Sequence, residues 1–187
     1  MVYLNYITCC DNAISRHNTA LKALNILTLS AFGIETSEKL IVKSKSGRPH
    51  IKNSDFDFSI SHTGTVALVA ACGKGTKNKN MICFDEDISK IGVDIEREDR
   101  AINYKVMMKI VKEYLTMKER EYVSVGTEFD RERFLEIWTK KESIVKLTGE
   151  GFAKIKNADS FCKHLKFNKT IRLEIDGKKY IVSIVGM

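Results

Sequence analysis

Between Asp130 and Thr148 the residues Phe134, Ile137, Trp138, Ile144 and Val145 recur on one broad face at 3.6-residue spacing. That pattern predicts a helix with one buried side, ending near Gly149, a residue type favoured just past a helix end. Lys141 falls in the middle of the apolar stripe and Glu142 toward its edge, one turn after Trp138, with Lys146 a further turn along on the side of Glu142. An unpaired charge removed from water costs several kcal/mol. The fold must therefore give this helix a metal ion, a phosphate or a pairing between its charges. Snorkelling past the core edge would account for Lys141 alone and would leave Glu142 unexplained.

A second constraint lies at Lys90–Glu96, mostly β-branched and apolar and bounded by Arg97-Glu-Asp-Arg100. It reads as a strand, so Asp94 and Glu96 project from one face and Val93 and Ile95 from the other. Two neighbouring carboxylates repel, and an exposed strand end would simply solvate them. A third stretch alters that balance. Phe56, Phe58 and Ile60 alternate with Asp57, Ser59 and Ser61 in a half-buried strand, and Thr65 to Cys72 forms a more fully apolar one. The connection Ser61-His62-Thr63-Gly64 brings hydroxyls, an imidazole and a glycine that admits close backbone approach, the elements of a phosphate cradle. A serine beside a histidine also invites a hydrolase reading, but no G-x-S-x-G elbow is present. Together the three stretches supply carboxylates, a histidine and lysines, the inventory that Mg²⁺ and phosphate oxygens require.

Four ordered motifs resemble those of the 4′-phosphopantetheinyl transferases, in the larger two-lobed class typified by the surfactin-synthetase activating enzyme. They are Gly47-Arg48-Pro49-His50, Ser61-His62-Thr63-Gly64, Gly92-Val-Asp94-Ile-Glu96, and Trp138-Thr-Lys-Lys141-Glu142-Ser-Ile-Val-Lys146-Leu-Thr-Gly149-Glu-Gly151. Each is weak alone; the four in order are specific. The resemblance implies that Asp94, Glu96 and Glu142 bind Mg²⁺ beside the pyrophosphate of coenzyme A. It places His62 and Lys146 on the phosphates, Lys141 as a neutralising charge on the pyrophosphate, and Arg48 on the nucleotide end, assisted by Ser61 or Thr63. Tyr114-Leu115-Thr116-Met-Lys-Glu119 matches a further family feature loosely, making Glu119 a candidate for helping to deprotonate the acceptor. An exposed helix glutamate between Lys118 and Arg120 would account for it equally.

The implied reaction is attack by a serine of an acyl or peptidyl carrier protein on the β-phosphate of coenzyme A, releasing 3′,5′-ADP. The base is Glu142, Glu119 or a metal-bound hydroxide, and positioning with charge neutralisation supplies most of the acceleration. The basic residues that grip the 3′-phosphate in longer relatives have no match; Arg16, Lys22, Lys43 and Lys45 are the candidates. Fatty-acid, polyketide and nonribosomal-peptide carriers all stay open as acceptors.

The chain has 187 residues, 43% of them hydrophobic, enough to bury a core as one domain or two small lobes. No apolar run approaches a membrane span, and Met1 to Cys10 lacks a secretory pattern, so a cytoplasmic protein is expected. Cysteines at 9, 10, 72, 83 and 162 show no C-x-x-C spacing and read as reduced thiols. The net charge of +7 suits a polyanionic cofactor, an acidic carrier or nucleic acid.

Helices are expected at about 12–31, 104–114, 117–123 and 130–148, with strands near 40–42, 56–61, 66–72 and 91–96. Residues 73–80 read as a mobile loop rich in lysine and asparagine. The chain closes with a hairpin, 170–175 and 178–185, turning at Asp176-Gly177. Ninety-one residues precede Gly92, whereas in the small subclass of the family this motif starts the chain and the site forms between subunits. The resemblance therefore implies an α+β protein of two similar α/β lobes, 1–98 and 99–187, in a pseudo-twofold arrangement of mostly antiparallel sheets packed with helices. A single site lies between the lobes of a monomer. Two rival classes remain: a metal-dependent nucleotide or diphosphate hydrolase using water as acceptor, and a basic nucleic-acid-binding module. Against the second, no aromatics interleave with the lysine-rich loop and the three acids would repel a phosphate backbone.

Overall fold

A computed structural model describes residues 1–8, 13–126 and 128–187. Cys9, Cys10 and the expected helix start at Asn12 lie outside them. The element order is β1 (Val2–Thr8), α1 (Ala13–Phe32), a 3₁₀ turn (Glu38–Leu40), β2 (Ile41–Lys43), β3 (Pro49–Ile51), β4 (Asp57–Thr63), β5 (Val66–Cys72), β6 (Ile82–Phe84) and β7 (Ile91–Arg97). There follow α2 (Tyr104–Tyr114), α3 (Met117–Val123), β8 (Ser124–Val125), β9 (Glu128–Phe129), α4 (Arg131–Thr148), a 3₁₀ segment (Phe152–Asn157), β10 (Phe167–Ile175) and β11 (Lys178–Gly186).

The architecture is α+β, with antiparallel sheets packed against helices. One sheet has the order β4-β5-β1-β6, a second β10-β11-β7, and β2-β3 and β8-β9 form two ribbons. β5 is buried along its whole length. Its alternate residues Val69 and Ala71 pack with Leu24 and Leu27 of α1, while Val66, Leu68 and Ala70 pack with Val93 and Ile95 of β7 and Val182 and Ile184 of β11. On the far side of the second sheet, Ile181 and Val185 meet Ile137 and Val145 of α4. The period-2 alternation of β11 thus divides its side chains between two hydrophobic layers.

β7 precedes residue 98, yet it hydrogen-bonds in register with β11, pairing Asp94 with Ser183 and Val93 with Ile184. The closing hairpin turns where expected, with both Asp176 and Gly177 at positive φ, as a type I′ turn requires. Residues 73–80 carry no regular element, but the Thr76 amide is fastened to the Ala31 carbonyl at the end of α1. No described helix is long and apolar enough to cross a membrane.

Candidate active site

The site forms where β4, β7 and α4 meet, and Gly92 lets them meet closely. A Cβ at this position would overlap the carbonyl oxygen of Ser143 and approach the Leu147 nitrogen to 2.8 Å. The backbone of α4 therefore lies directly on β7. α4 starts at Asp130, whose side chain accepts from the Arg133 amide, and stops at Gly149 in the left-handed conformation.

β4 adjoins β7 through side chains. Asp57, Ser59, Ser61 and Thr63 project from one face of β4. The Ile91 amide donates to Asp57 Oδ2 (2.8 Å) and the Val93 amide to Ser59 Oγ (3.1 Å). Ser61 Oγ donates to Asp94 Oδ1 (2.6 Å), and Thr63 Oγ1 to Glu96 Oε2 (3.0 Å). Sequence reasoning placed Ser61 and Thr63 at the site but missed Asp57 and Ser59, whose polar alternation read as the exposed face of a half-buried strand. Ser59 is 5% exposed.

Two cations of the chain hold the acids. Lys146 Nζ donates to Asp94 Oδ1 at 2.7 Å, and Arg100 Nη1 donates to both oxygens of Glu96 at 2.7 and 2.9 Å. Arg100 was legible only as part of the charged run that ends the strand. Glu142 is close enough to feel both acids. Its carboxyl is pushed up to about 7, by burial first and then by Asp94, with Lys146 pulling it back and Glu96 adding to the rise. His62 is held below the usual imidazole range, mainly by burial and then by the charges of Arg16 and Lys146, against the opposing pull of Asp94 and Glu96. Ser61, His62, Thr63, Asp94, Glu96, Glu142 and Lys146 thus share one neighbourhood.

Lys141, Glu119 and Arg48 are bound elsewhere. Lys141 is fully buried, and its ammonium donates to both oxygens of Glu119 (3.0 and 3.3 Å) and to the Ala158 carbonyl. These acceptors match its three N–H groups, so none is left for a pyrophosphate. One residue along a helix is a turn of about 100°, which points Lys141 away from the direction of Glu142. Glu119 is also fully buried and accepts from the amides of Thr116 (2.7 Å) and Ser160 (2.9 Å). Burial alone would raise its pKa, but the Ser160 and Thr116 amides, followed by Lys141, hold it below the usual carboxylate range. It caps α3 and has no route to an external acceptor, so the expectation of a base there is corrected to a buried counter-ion. The Arg48 guanidinium forms a two-pronged pair with Asp57 and binds main-chain carbonyls. The expected contact with a nucleotide gives way to those internal acceptors.

Two adjoining cavities share Pro49, Phe58 and Ile60. The larger, about 530 Å³, is lined also by Arg16, Lys43 and His62. The smaller, about 300 Å³, is lined by Glu142, Lys146, Val145 and Phe152. Of the four basic candidates for the 3′-phosphate, Arg16 and Lys43 face the larger cavity; Lys22 and Lys45 do not line it.

Asp94, Glu96 and Glu142 are hard oxygen donors of the kind that suits Mg²⁺, and the mutual effect on Glu142 fits such a set. As arranged here, Asp94 and Glu96 are taken up by Lys146 and Arg100. Among the described residues no three His, Cys, Asp or Glu side chains stand together as a metal-binding group. The donors fit the ion in kind, while the expected shared magnesium centre is not preassembled.

This combination of a β7 carrying G-V-D-I-E and an α4 laid across it defines a class. A sequence model of the 4′-phosphopantetheinyl transferase superfamily matches residues 90–184, just over half of the chain and all of the elements from β7 to β10. The chain belongs to that superfamily, whose members transfer phosphopantetheine with coenzyme A as donor, typically with a divalent metal. No curated protein matches the chain.

Proposed function

We propose that this protein transfers the 4′-phosphopantetheine arm of coenzyme A to a serine of an acyl or peptidyl carrier protein, with Mg²⁺, and releases 3′,5′-ADP. The observation that supports this reading is that Asp94 and Glu96 from β7, Glu142 and Lys146 from α4, and His62 from β4 act on one another's charges beside two adjoining cavities. The adenosine and its 3′-phosphate occupy the larger cavity beside Arg16 and Lys43, a volume within the ordinary range for small-ligand sites. The pyrophosphate lies between His62 and Lys146, where the Lys146 ammonium exchanges Asp94 for phosphate oxygen.

Asp94, Glu96 and Glu142 would hold the magnesium ion, which when bound neutralises charge on the pyrophosphate. The acceptor hydroxyl gives its proton to a Glu142 oxygen, the one of the two carboxylate bases considered that shares the cleft with the acids. The serine oxygen bonds to the β-phosphorus, the bond from that phosphorus to the bridging oxygen breaks, and 3′,5′-ADP departs with the electron pair. Lys146 and His62 stabilise the leaving phosphate as its charge grows. All these groups come from one chain, so a monomer suffices, in keeping with the larger two-lobed class; the proposed lobes 1–98 and 99–187 are joined by the pairing of β7 with β11. A cytoplasmic location accords with the reduced thiols expected of the chain.

Mass spectrometry of apo carrier proteins after incubation with the protein, coenzyme A and Mg²⁺ tests this. The expected result is addition of the pantetheine arm to a fatty-acid, polyketide or nonribosomal-peptide carrier, and release of 3′,5′-ADP only when that carrier is present. Equal release without a carrier would establish a hydrolase instead.

A further inference from the structure

In the G-R-P-H step Pro49 lines both cavities, whereas the Arg48 guanidinium turns to acceptors of the chain itself. The Arg48 side chain is 14% exposed and that of Asp57 13%. Nη1 and Nη2 of Arg48 donate to Asp57 Oδ1 (2.9 Å) and Oδ2 (2.5 Å), Nη2 also to the Ile91 carbonyl (2.7 Å), and Nε to the Lys146 carbonyl (2.8 Å). A longer contact from Nη2 reaches the Phe58 carbonyl at 3.4 Å. Asp57 Oδ2 in turn accepts the Ile91 amide at 2.8 Å. Of the five N–H groups of a guanidinium, at most one is left for a ligand.

Each anchor sits next to a working group. The Lys146 carbonyl is among the last four of α4, which lack partners within the helix, and a cation there also complements the helix dipole. The same residue sends its ammonium to Asp94. Ile91 opens the strand that carries Asp94 and Glu96. The stem of Arg48 packs on Gly149, where a Cβ would lie 3.2 Å from Arg48 Cβ and 2.7 Å from Ser46 Oγ. One ion pair therefore fixes the end of α4, the start of β7 and the edge of β4 against one another. Lysine could not replace it, because a single ammonium cannot serve a carboxylate and two carbonyls lying in a fork.

We propose that Arg48 and Asp57 form a positioning pair that sets the placement of Lys146 relative to Asp94, and through it the grip on the pyrophosphate, with no part in binding the adenosine end. This rests on the transfer reading for its consequence in catalysis, but the pair can be tested by binding alone. Calorimetric affinities for inorganic pyrophosphate and for 3′-AMP would be compared in wild type, Arg48→Lys, Asp57→Asn and the double variant, alongside kcat and KM.

Both single variants are expected to weaken pyrophosphate about tenfold or more and to lower kcat similarly. The double variant should be no worse than either single, and 3′-AMP affinity should stay within twofold throughout. A loss of 3′-AMP affinity in Arg48→Lys with a wild-type Asp57→Asn would overturn the proposal and return Arg48 to the nucleotide. So would additive losses in the double variant. Should the single variants fail to fold, Arg48→Met/Asp57→Leu replaces the pair by apolar groups that a buried site tolerates. That variant, folded by circular dichroism, is expected to keep 3′-AMP affinity and lose pyrophosphate affinity; wild-type binding of both would overturn the proposal. A wild type that transfers no arm yet shows the same split in binding would sink the transfer reading and leave the pair standing.

Discussion

Glu142 carries the largest consequence of any single residue. Its folded pKa, about 7, lies above that of an unfolded chain, so the folded state holds the proton more tightly. The stability that this gives is complete below the usual carboxylate range and is lost as pH rises toward about 7. Glu142→Gln is expected to match wild type in urea midpoint at pH 4 and to exceed it at pH 8, while transfer falls by about 100-fold or more. An equal midpoint at pH 8 would contradict the burial of this carboxyl among acids. Lys141 presents the opposite case. Lys141→Ala strands the Glu119 carboxylate in the core and is expected to cost about 3–5 kcal/mol in urea unfolding. Lys141→Met/Glu119→Gln should cost less, since the glutamine oxygen still serves one of the two amides.

At the scale of elements, the contact between α4 and β7 depends on the missing side chain at Gly92. Gly92→Ala must push backbone from backbone; overpacking of this kind costs about 1–3 kcal/mol, and transfer should fall further than the stability loss explains, because Asp94 and Lys146 sit on opposite sides of that contact. A kcat within twofold of wild type would refute it. The regular elements were largely legible in the sequence. The apolar stripe gave α4 to within a residue, with Asp130 as its cap, and Asp176-Gly177 gave the closing hairpin. β1 escaped notice because its partners β5 and β6 lie far along the chain, and β3 and β6 because three residues show no period. At the site, Ser61, His62, Thr63, Asp94, Glu96, Glu142 and Lys146 could be named from motifs. Arg48 and Lys141 share those motifs but face inward, since which carbonyls close around a cation depends on segments that meet only in three dimensions.

Across the whole molecule, the two larger sheets share one core, in which Val66, Leu68 and Ala70 pack with Val93, Val182 and Ile184. Neither sheet can open without exposing the other. Urea unfolding followed by the fluorescence of the single tryptophan, Trp138 on α4, is expected to coincide with the far-ultraviolet circular dichroism of the entire chain. Separate midpoints would show that the sheets melt independently.

β7 is also the border strand of its sheet, and the outward amides of Ile91 and Val93 are met by Asp57 and Ser59. A border strand with bare amides is a template for another chain to pair with. Here β4 covers that border, and Ser59→Ala leaves the buried Val93 amide without an acceptor, which is expected to cost about 1–3 kcal/mol in urea unfolding; an unchanged midpoint would contradict it. The proposed site and the closing of this strand border are then two results of the same row of short polar side chains.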